Sequence, residues 1–388
     1  MNKSKLRFWA YVAGFFLAVS TAIAAYVNSS FLEQFVSERS IGIFYALAAS
    51  VSMIAAFNSS QLIKWVGHRQ TTLWLVVINL IALSSLSFYA GGYLPILFLA
   101  VYLVASFLLA INLDLYLERL SDDRVTGRIR GTFLTITNLA WLASPFLSGW
   151  LVEHFGFPTI YRVAMVVLLP FSYIALVHFK DVTALGREHL HTLGVLRKIF
   201  DPANDRYRAL NRILKIDFLL NFFYVVMIVY TPIYLHQHLG FDWSEIGLMF
   251  TIMLIPFVLL DIILGWLADR RLGEKEILIA GIAIAGAATL ILPWLGPNWL
   301  LWTIAFFVTR VGAASIEVMK ETYLFKKIDG SDVNIVFVSR NTVPFATIVA
   351  PLVTSLFLVF FPFRYIYLLL GLVMFLGLIP AIQLQDTK

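Results

Sequence analysis

Apolar runs of about 20 residues alternate with short polar stretches along most of the 388-residue chain. A helix of about 20 mostly apolar residues is long enough to cross the hydrocarbon core of a membrane. The pattern predicts twelve such spans, which in chain order are 8–30, 40–63, 71–90, 94–118, 131–152, 159–179, 213–235, 243–268, 276–294, 298–322, 337–360 and 363–383. We therefore expect an all-α membrane protein with twelve transmembrane helices.

One long polar stretch, 181–211, separates the sixth predicted span from the seventh. It divides the chain into an N-terminal six-helix bundle, 1–180, and a C-terminal six-helix bundle, 212–388. Its segment 190–200 is amphipathic and basic, so we expect a linker helix that lies on the membrane surface. The two halves share polar spacings: Asn138 follows Asp114 by 24 residues, and Asn341 follows Glu317 by 24. Two related six-helix repeats place a central pathway at their interface.

The composition supports a membrane protein and excludes several kinds of chemistry. Hydrophobic residues make up 60% of the chain and charged residues 13%, whereas soluble domains are about half apolar and a quarter charged. The chain has no cysteine, which excludes disulfides, thiolate nucleophiles and cysteine metal sites. The sequence contains no nucleophile and base pattern, metal-ligand pattern or glycine-rich phosphate loop. We expect no enzyme, no metal and no cofactor.

The basic residues predict the orientation of the chain. With the N-terminus in the cytoplasm, 25 of the 29 lysines and arginines fall on the cytoplasmic side and three on the outer side. This asymmetry predicts cytoplasmic termini and a multi-pass protein of the inner cell membrane. Because the basic residues are spread over many loops, they do not indicate nucleic-acid binding.

A charged turn, 265–275, lies between the eighth and ninth predicted spans. It contains a glycine, a small residue, an aspartate, a basic residue, a second glycine and a second basic residue, namely Gly265, Ala268, Asp269, Arg270, Gly273 and Lys275. This order resembles the signature turn of the major facilitator superfamily, and the resemblance covers essentially the whole chain. In the first half, Gly67 and Arg69 remain from the pattern. The resemblance implies pseudo-symmetric bundles that transport a solute by rocking alternating access.

In that family the turn holds the cytoplasmic side shut, which implies a gate here. Asp269 is expected at the N-terminal end of the eleventh span, where unpaired N–H groups favour an anion. Gly273 is expected to permit a tight turn with positive φ. The expected ion pairs join Arg270 or Arg271 to Glu317 or Glu321, and Arg69 or Lys64 to Asp114 or Glu118. The alternative is that these charges only fix the topology.

Ionisable residues inside predicted spans are candidates for the pathway of substrate or ion. Arg310 lies about 18 Å into the tenth span, near mid-membrane. It needs an anionic partner, a water-filled cavity or an anionic substrate. Asp261 and Glu317 are the candidate partners, and protonation of a carboxylate or its replacement by substrate would release Arg310. A fixed ion pair with a structural role is the alternative.

Other polar residues and prolines complete the candidate site. Three asparagines either line the pathway or form hydrogen bonds between helices: Asn28, Asn138 and Asn341. Asp217 lies near a span end and is expected to be solvated. Pro145 and Pro351 are expected to bend the fifth and eleventh spans. The surroundings of Pro145 resemble the glycine–proline element of the family's antiporters.

Together these features predict a monomeric, proton-coupled secondary transporter of a small organic solute, with a preference for efflux of amphipathic compounds. Its partners are then a small-molecule substrate, protons and the lipid bilayer. The alternative within transport is uptake of an organic anion or metabolite by symport, with Arg310 as the anchor. The alternative from another class is a membrane protein that does not transport solutes, such as a lipid scramblase or a sensor.

Overall fold

The computed structural model describes residues 3–89, 92–120, 126–180, 205–270, 273–327, 338–339 and 341–385. Most of these residues are helical. The chain divides into two compact units. Unit 1 comprises Met1–Arg187 with Asp242–Leu248, and unit 2 comprises Glu188–Phe241 with Met249–Lys388.

The first seven helices lie in unit 1. They are α1 (Lys3–Ala25), α2 (Asn28–Glu33), α3 (Glu38–Val66), α4 (His68–Ser87), α5 (Leu94–Leu120), α6 (Thr126–Phe155) and α7 (Phe157–Val177). The predicted first span therefore ends early, and α2 is a separate short helix. Gly67, with φ of 94°, joins α3 directly to α4, since glycine tolerates this conformation.

The remaining helices belong to unit 2, except that the first six residues of the second one are counted in unit 1. They are α8 (Asp205–Ile233), α9 (Trp243–Arg270), α10 (Glu274–Ile291), α11 (Trp299–Lys327), α12 (Thr342–Phe360), α13 (Ile366–Leu376) and α14 (Leu378–Ile382). A π-helical turn, Tyr234–His238, continues α8. Short 3₁₀ turns, Leu292–Trp294 and Phe363–Tyr365, follow α10 and precede α13.

Within the described ranges, eleven helical segments are long and apolar enough to cross a membrane. Each overlaps one of the predicted spans. The predicted fifth span falls in α6, where three threonines and Asn138 interrupt the apolar run, and α6 is not among the eleven. Large apolar side chains stay exposed on many helices, including Trp65 at 78% and Phe88 at 70%. Lipid is the solvent that such surfaces fit, so the chain is a multi-pass membrane protein.

Small residues fix α10 against α11 inside unit 2. A Cβ atom on Gly312 of α11 would lie 2.5 Å from the Ala285 nitrogen and 2.5 Å from the Gly281 oxygen, both in α10. The two backbones therefore touch at this point, which only small residues allow. This contact sets the rotation of α11, because Gly312 lies on the side of the helix opposite to Arg310 and Glu317.

Candidate functional site

Polar residues occupy one face of α8 and one face of α11. On α8, Asp217, Asn221 and Tyr224 follow each other by four and three residues, and such residues lie on one side of a helix. On α11, Arg310, Glu317 and Lys320 follow by seven and three residues. Side-chain contacts join the two faces. We call these six residues, with Thr342 at the start of α12, the polar ladder.

One end of the polar ladder is a buried carboxylate with three partners. Asp217 is 4% exposed and forms an ion pair with Lys320, whose side chain is 13% exposed. The Thr342 hydroxyl donates to Asp217 Oδ2, and Asn221 Nδ2 donates to Asp217 Oδ1 over 3.0 Å. Thr342 is the first residue of α12, so the carboxylate also lies beside a helix N-terminus, which favours an anion.

The expectation that Asp217 is solvated is therefore wrong. A buried carboxylate is tolerated where a counter-charge and hydrogen-bond donors replace its hydration. Lys320, Thr342 and Asn221 supply both here. The side chains come from three different helices, which is why the position of Asp217 near the end of its span did not reveal them.

The middle of the polar ladder joins a tyrosine to a carboxylate. The Tyr224 hydroxyl donates to Glu317 Oε2 over 2.7 Å. Glu317 is half-buried, whereas Asp217, at the end of the polar ladder, is buried. Glu317 is therefore the more accessible of the two acids.

Arg310 occupies the other end, in the middle of a candidate span. It is 2% exposed, and its Cζ lies 5.1 Å from the ring centre of Phe223 and 5.6 Å from that of Tyr224. Both distances are within the range of cation–π attraction. Tyr224 thus touches Arg310 with its ring and Glu317 with its hydroxyl. The side chain of Asp261 lies outside the described residues, so its predicted pairing with Arg310 stays a prediction.

Unit 1 has fewer polar contacts at the predicted pathway positions. Asn28 is 3% exposed, and its Oδ1 accepts from the Tyr161 hydroxyl over 3.1 Å. Asn138 is exposed on α6. Asn112, on α5, is 2% exposed, and neither its nitrogen nor its oxygen has a hydrogen-bond partner in the part of the chain that the structure describes.

The proline element of α6 lies at a close contact inside unit 1. A Cβ atom on Gly247 would lie 2.6 Å from the Pro145 oxygen, and one on Gly149 would lie 2.2 Å from the Trp243 oxygen. The Trp243 nitrogen donates to Glu153 Oε2 over 2.8 Å, so a carboxylate satisfies an N–H group at the start of α9. Small residues beside Pro145 thus let two backbones meet.

A comparison with known protein families gives a match for the second half of the chain. The profile of the Major Facilitator Superfamily matches residues 216–386. The C-terminal half of the chain is therefore similar to this superfamily. The resemblance expected from the turn at 265–275 is thereby confirmed. No curated protein sequence matches the chain. The matched range contains every member of the polar ladder.

Much of the superfamily's signature turn lies outside the described residues. This applies to the surroundings of Gly265, to the side chains of Asp269 and Arg270 and to the whole of Arg271, so their gate role stays a prediction. Gly273 is the N-cap of α10 with φ of −80° and ψ of 165°. The expected positive φ is therefore wrong, because the helix starts from extended backbone. Lys275 is half-buried in the first turn of α10.

Other predicted gate residues are placed as follows. The Glu321 side chain is 48% exposed, and its Oε1 lies 3.4 Å from Lys320 Nζ. In unit 1, Arg69 Nη2 donates to the Leu176 oxygen over 2.7 Å, and Asp114 is half-buried. The side chain of Glu118 is outside the described residues. The predicted pairings of Arg69 and Asp114 stay predictions.

Asn341, which lies within the eleventh predicted span, is the N-cap of α12. Its backbone oxygen accepts from the Phe345 nitrogen over 3.2 Å. Pro351 lies inside α12, and its oxygen accepts from the Tyr230 hydroxyl over 3.0 Å. This bond joins α8 to the α12 backbone at Pro351.

Sequence reasoning missed an ion pair between α10 and α11. Glu274 is 1% exposed at the start of α10 and pairs with Lys326 in the last turn of α11. It also missed Lys320, Asn221 and Tyr224. The spacing of Asp217, Asn221 and Tyr224 along a single face was the signal that could have found the α8 side of the polar ladder.

Proposed function

We propose that the protein is a proton-coupled secondary transporter of a small organic solute, working by rocker-switch alternating access with both termini in the cytoplasm. The match of residues 216–386 to the Major Facilitator Superfamily supports secondary transport. The observation that carries the proposal further is Arg310, a 2%-exposed guanidinium in the middle of α11. Charge at such a depth is costly and is kept where it has a function. We place the protein in the inner cell membrane as a monomer.

The polar ladder supplies the means of proton coupling. Glu317 is half-buried and hydrogen-bonded to Tyr224, whose ring touches Arg310. A proton on Glu317 removes the negative charge from this group, so the positive charge of Arg310 is less compensated. A neighbouring carboxylate then binds Arg310 more strongly, and a cationic solute loses the attraction of Glu317 and is released. Asp217 keeps its three partners and serves as the fixed end of the ladder.

Efflux of amphipathic compounds is the proposed direction. The proline element of α6, with Pro145 and Gly149 at a close backbone contact, supports it through its resemblance to the element in the superfamily's antiporters. The aromatic rings beside Arg310 also suit solutes with apolar surface.

Flux of a fluorescent dye tests both coupling and direction. We would reconstitute the protein in vesicles and follow ethidium with and without an imposed pH gradient. We expect the protein to export the dye faster when an imposed proton gradient drives protons in the opposite direction. Arg310→Ala should abolish it. The control is Arg364→Ala, which changes an exposed arginine in the short 3₁₀ turn Phe363–Tyr365. A rate of dye flux that is the same without a pH gradient and with a gradient in either direction would rule out proton coupling.

Uptake of an organic anion by symport is the second candidate. The enclosure of Arg310 by two aromatic rings favours it, because a guanidinium over aromatic faces is a site for an aromatic carboxylate. Proton-driven accumulation of labelled benzoate, lost in Arg310→Ala, would select this candidate over dye efflux.

A membrane protein without solute transport is the remaining class. Fluorescent-lipid scrambling in the same vesicles distinguishes it. Scrambling together with background flux of both ethidium and benzoate would replace the transport proposal with a scramblase.

A further inference from the structure

A basic cavity lies in unit 2. Its volume is about 190 Å³, and six residues line it: Arg208, Ala209, Arg212, Tyr323, Gln383 and Gln385. None of these residues belongs to the polar ladder. None of them is acidic, and two of the six are arginines.

The ends of three candidate spans meet at this cavity. Arg208 and Arg212 stand at the beginning of the span Tyr207–His238, and Tyr323 stands at the end of the span Trp299–Leu324. Gln383 directly follows the last span, Phe363–Ile382. Because helices enter and leave the hydrocarbon at their span ends, the cavity lies at the level of the lipid headgroups.

The walls of the cavity are held in place by backbone contacts. Arg212 Nη1 donates to the Gln383 oxygen over 2.7 Å, and the Tyr323 hydroxyl donates to the Gln385 oxygen over 3.0 Å. Lys327 Nζ lies 5.6 Å from the ring centre of Tyr323. These contacts join the start of α8 to the chain after α14 and to the last turns of α11. The side chains of Arg212 and Tyr323 are thus held against the chain after α14.

Its chemistry fits a phosphate group. Arg208 and Arg212 are four residues apart on α8, so both guanidinium groups lie on the same side of the helix. Guanidinium groups bind phosphate oxygens through paired N–H donors. Gln383 and Gln385 also line the cavity and carry amide donors. A basic recess at the membrane surface, between helix ends, is the arrangement that holds anionic lipid headgroups.

We propose that this cavity binds a phosphate group, presented by an anionic phospholipid headgroup or as free phosphate. Bound there, the group bridges the start of α8 and the end of the chain after α14. With the proposed orientation the cavity faces the cytoplasmic leaflet, where anionic lipids supply such headgroups.

Binding to purified, delipidated protein in a neutral detergent tests the proposal. The probes are short-chain phosphatidylglycerol, short-chain phosphatidylcholine and inorganic phosphate, with binding measured by native mass spectrometry and by the shift in melting temperature. The variants are Arg208→Gln, Arg212→Gln and the double variant. The matched control is Lys215→Gln, which removes an exposed cation of the same helix outside the cavity.

We expect phosphatidylglycerol to bind more tightly than phosphatidylcholine and to weaken about fivefold for each arginine removed, with no loss in Lys215→Gln. If inorganic phosphate binds with the same affinity and the same loss, free phosphate is the source. Arg208→Gln keeps the Arg212–Gln383 hydrogen bond, so it remains informative if the double variant does not fold. Equal binding of phosphatidylglycerol to the wild type and to Arg208→Gln would overturn the proposal.

Discussion

Asp217 of α8 and Lys320 of α11 form an ion pair within unit 2, with side chains only 6% and 13% exposed. They are 103 positions apart in the chain and are brought together by two helices that present their polar faces to each other. The pair also lies at the first residue of α12, whose hydroxyl donates to the same carboxylate. Three helices are therefore tied at this carboxylate.

The first prediction concerns the energetics of this pair. Asp217→Asn or Lys320→Gln alone leaves one buried charge without its counter-charge, which costs about 3–5 kcal/mol of stability. The double variant removes both charges and should lose less than the sum of the single losses. Thermal unfolding of the purified protein measures the three variants against the wild type. Additive losses would show that the two side chains do not interact.

The second prediction concerns the hydrogen bond between Tyr224 and Glu317. Tyr224→Phe removes the donor but keeps the ring beside Arg310. Glu317 then loses the hydrogen bond that holds its carboxylate next to the ring beside Arg310. A hydrogen bond to a charged group contributes about 1.5–3 kcal/mol, so the rate of proton-driven ethidium flux should fall about tenfold. Tyr230→Phe, which removes a hydroxyl bonded to the Pro351 oxygen, is the control and should leave the rate unchanged. Equal rates in Tyr224→Phe and the wild type would separate this hydrogen bond from coupling.

The third prediction concerns the contact between α10 and α11. Gly312→Ala places a Cβ atom 2.5 Å from backbone atoms of Gly281 and Ala285, so the helices must separate. The expected loss is about 1–3 kcal/mol, seen as a lower melting temperature. Gly296→Ala is the matched control, since a Cβ atom there has no neighbour within 4 Å. If both variants melt alike, the backbones of α10 and α11 do not touch as described.

The fourth prediction concerns the buried amide of Asn112. Because that amide makes no hydrogen bond within the described ranges, Asn112→Leu removes an unsatisfied polar group and should stabilise the protein by about 1 kcal/mol or more. Asn79 offers the contrast, because its Nδ2 donates to the Ser106 hydroxyl over 2.8 Å. Asn79→Leu should lower the melting temperature. A lower melting temperature for Asn112→Leu would indicate that its amide is hydrogen-bonded in the protein.

The sequence predicted the helices well because each apolar run is long enough to require a helix in lipid. The charged turn at 265–275 was sufficient to predict the superfamily, which the match to residues 216–386 confirms. Arg310 was singled out by its depth in a span, and it is buried. These inferences needed only the order of residues along one helix.

The partners of those residues could not be predicted in the same way. Hydropathy does not state how α8 and α11 are rotated about their axes, so Asp217 was interpreted from its place near a span end. Its neighbour Lys320 was counted only as a cytoplasmic charge. Gly273 shows the same limit, because glycine permits a positive φ but does not require it. Packing, including the Gly312 contact, decides how a helix is rotated and therefore which way its polar face points.

The close contact at Gly312 has a mechanical consequence. With no gap between the α10 and α11 backbones, neither helix can roll or slide past the other without a steric clash. The pair between Glu274 and Lys326 also joins these helices at one end. We therefore expect the two helices to move as one unit, so that a displacement of Arg310 would be transmitted to the start of α10, where Glu274 lies.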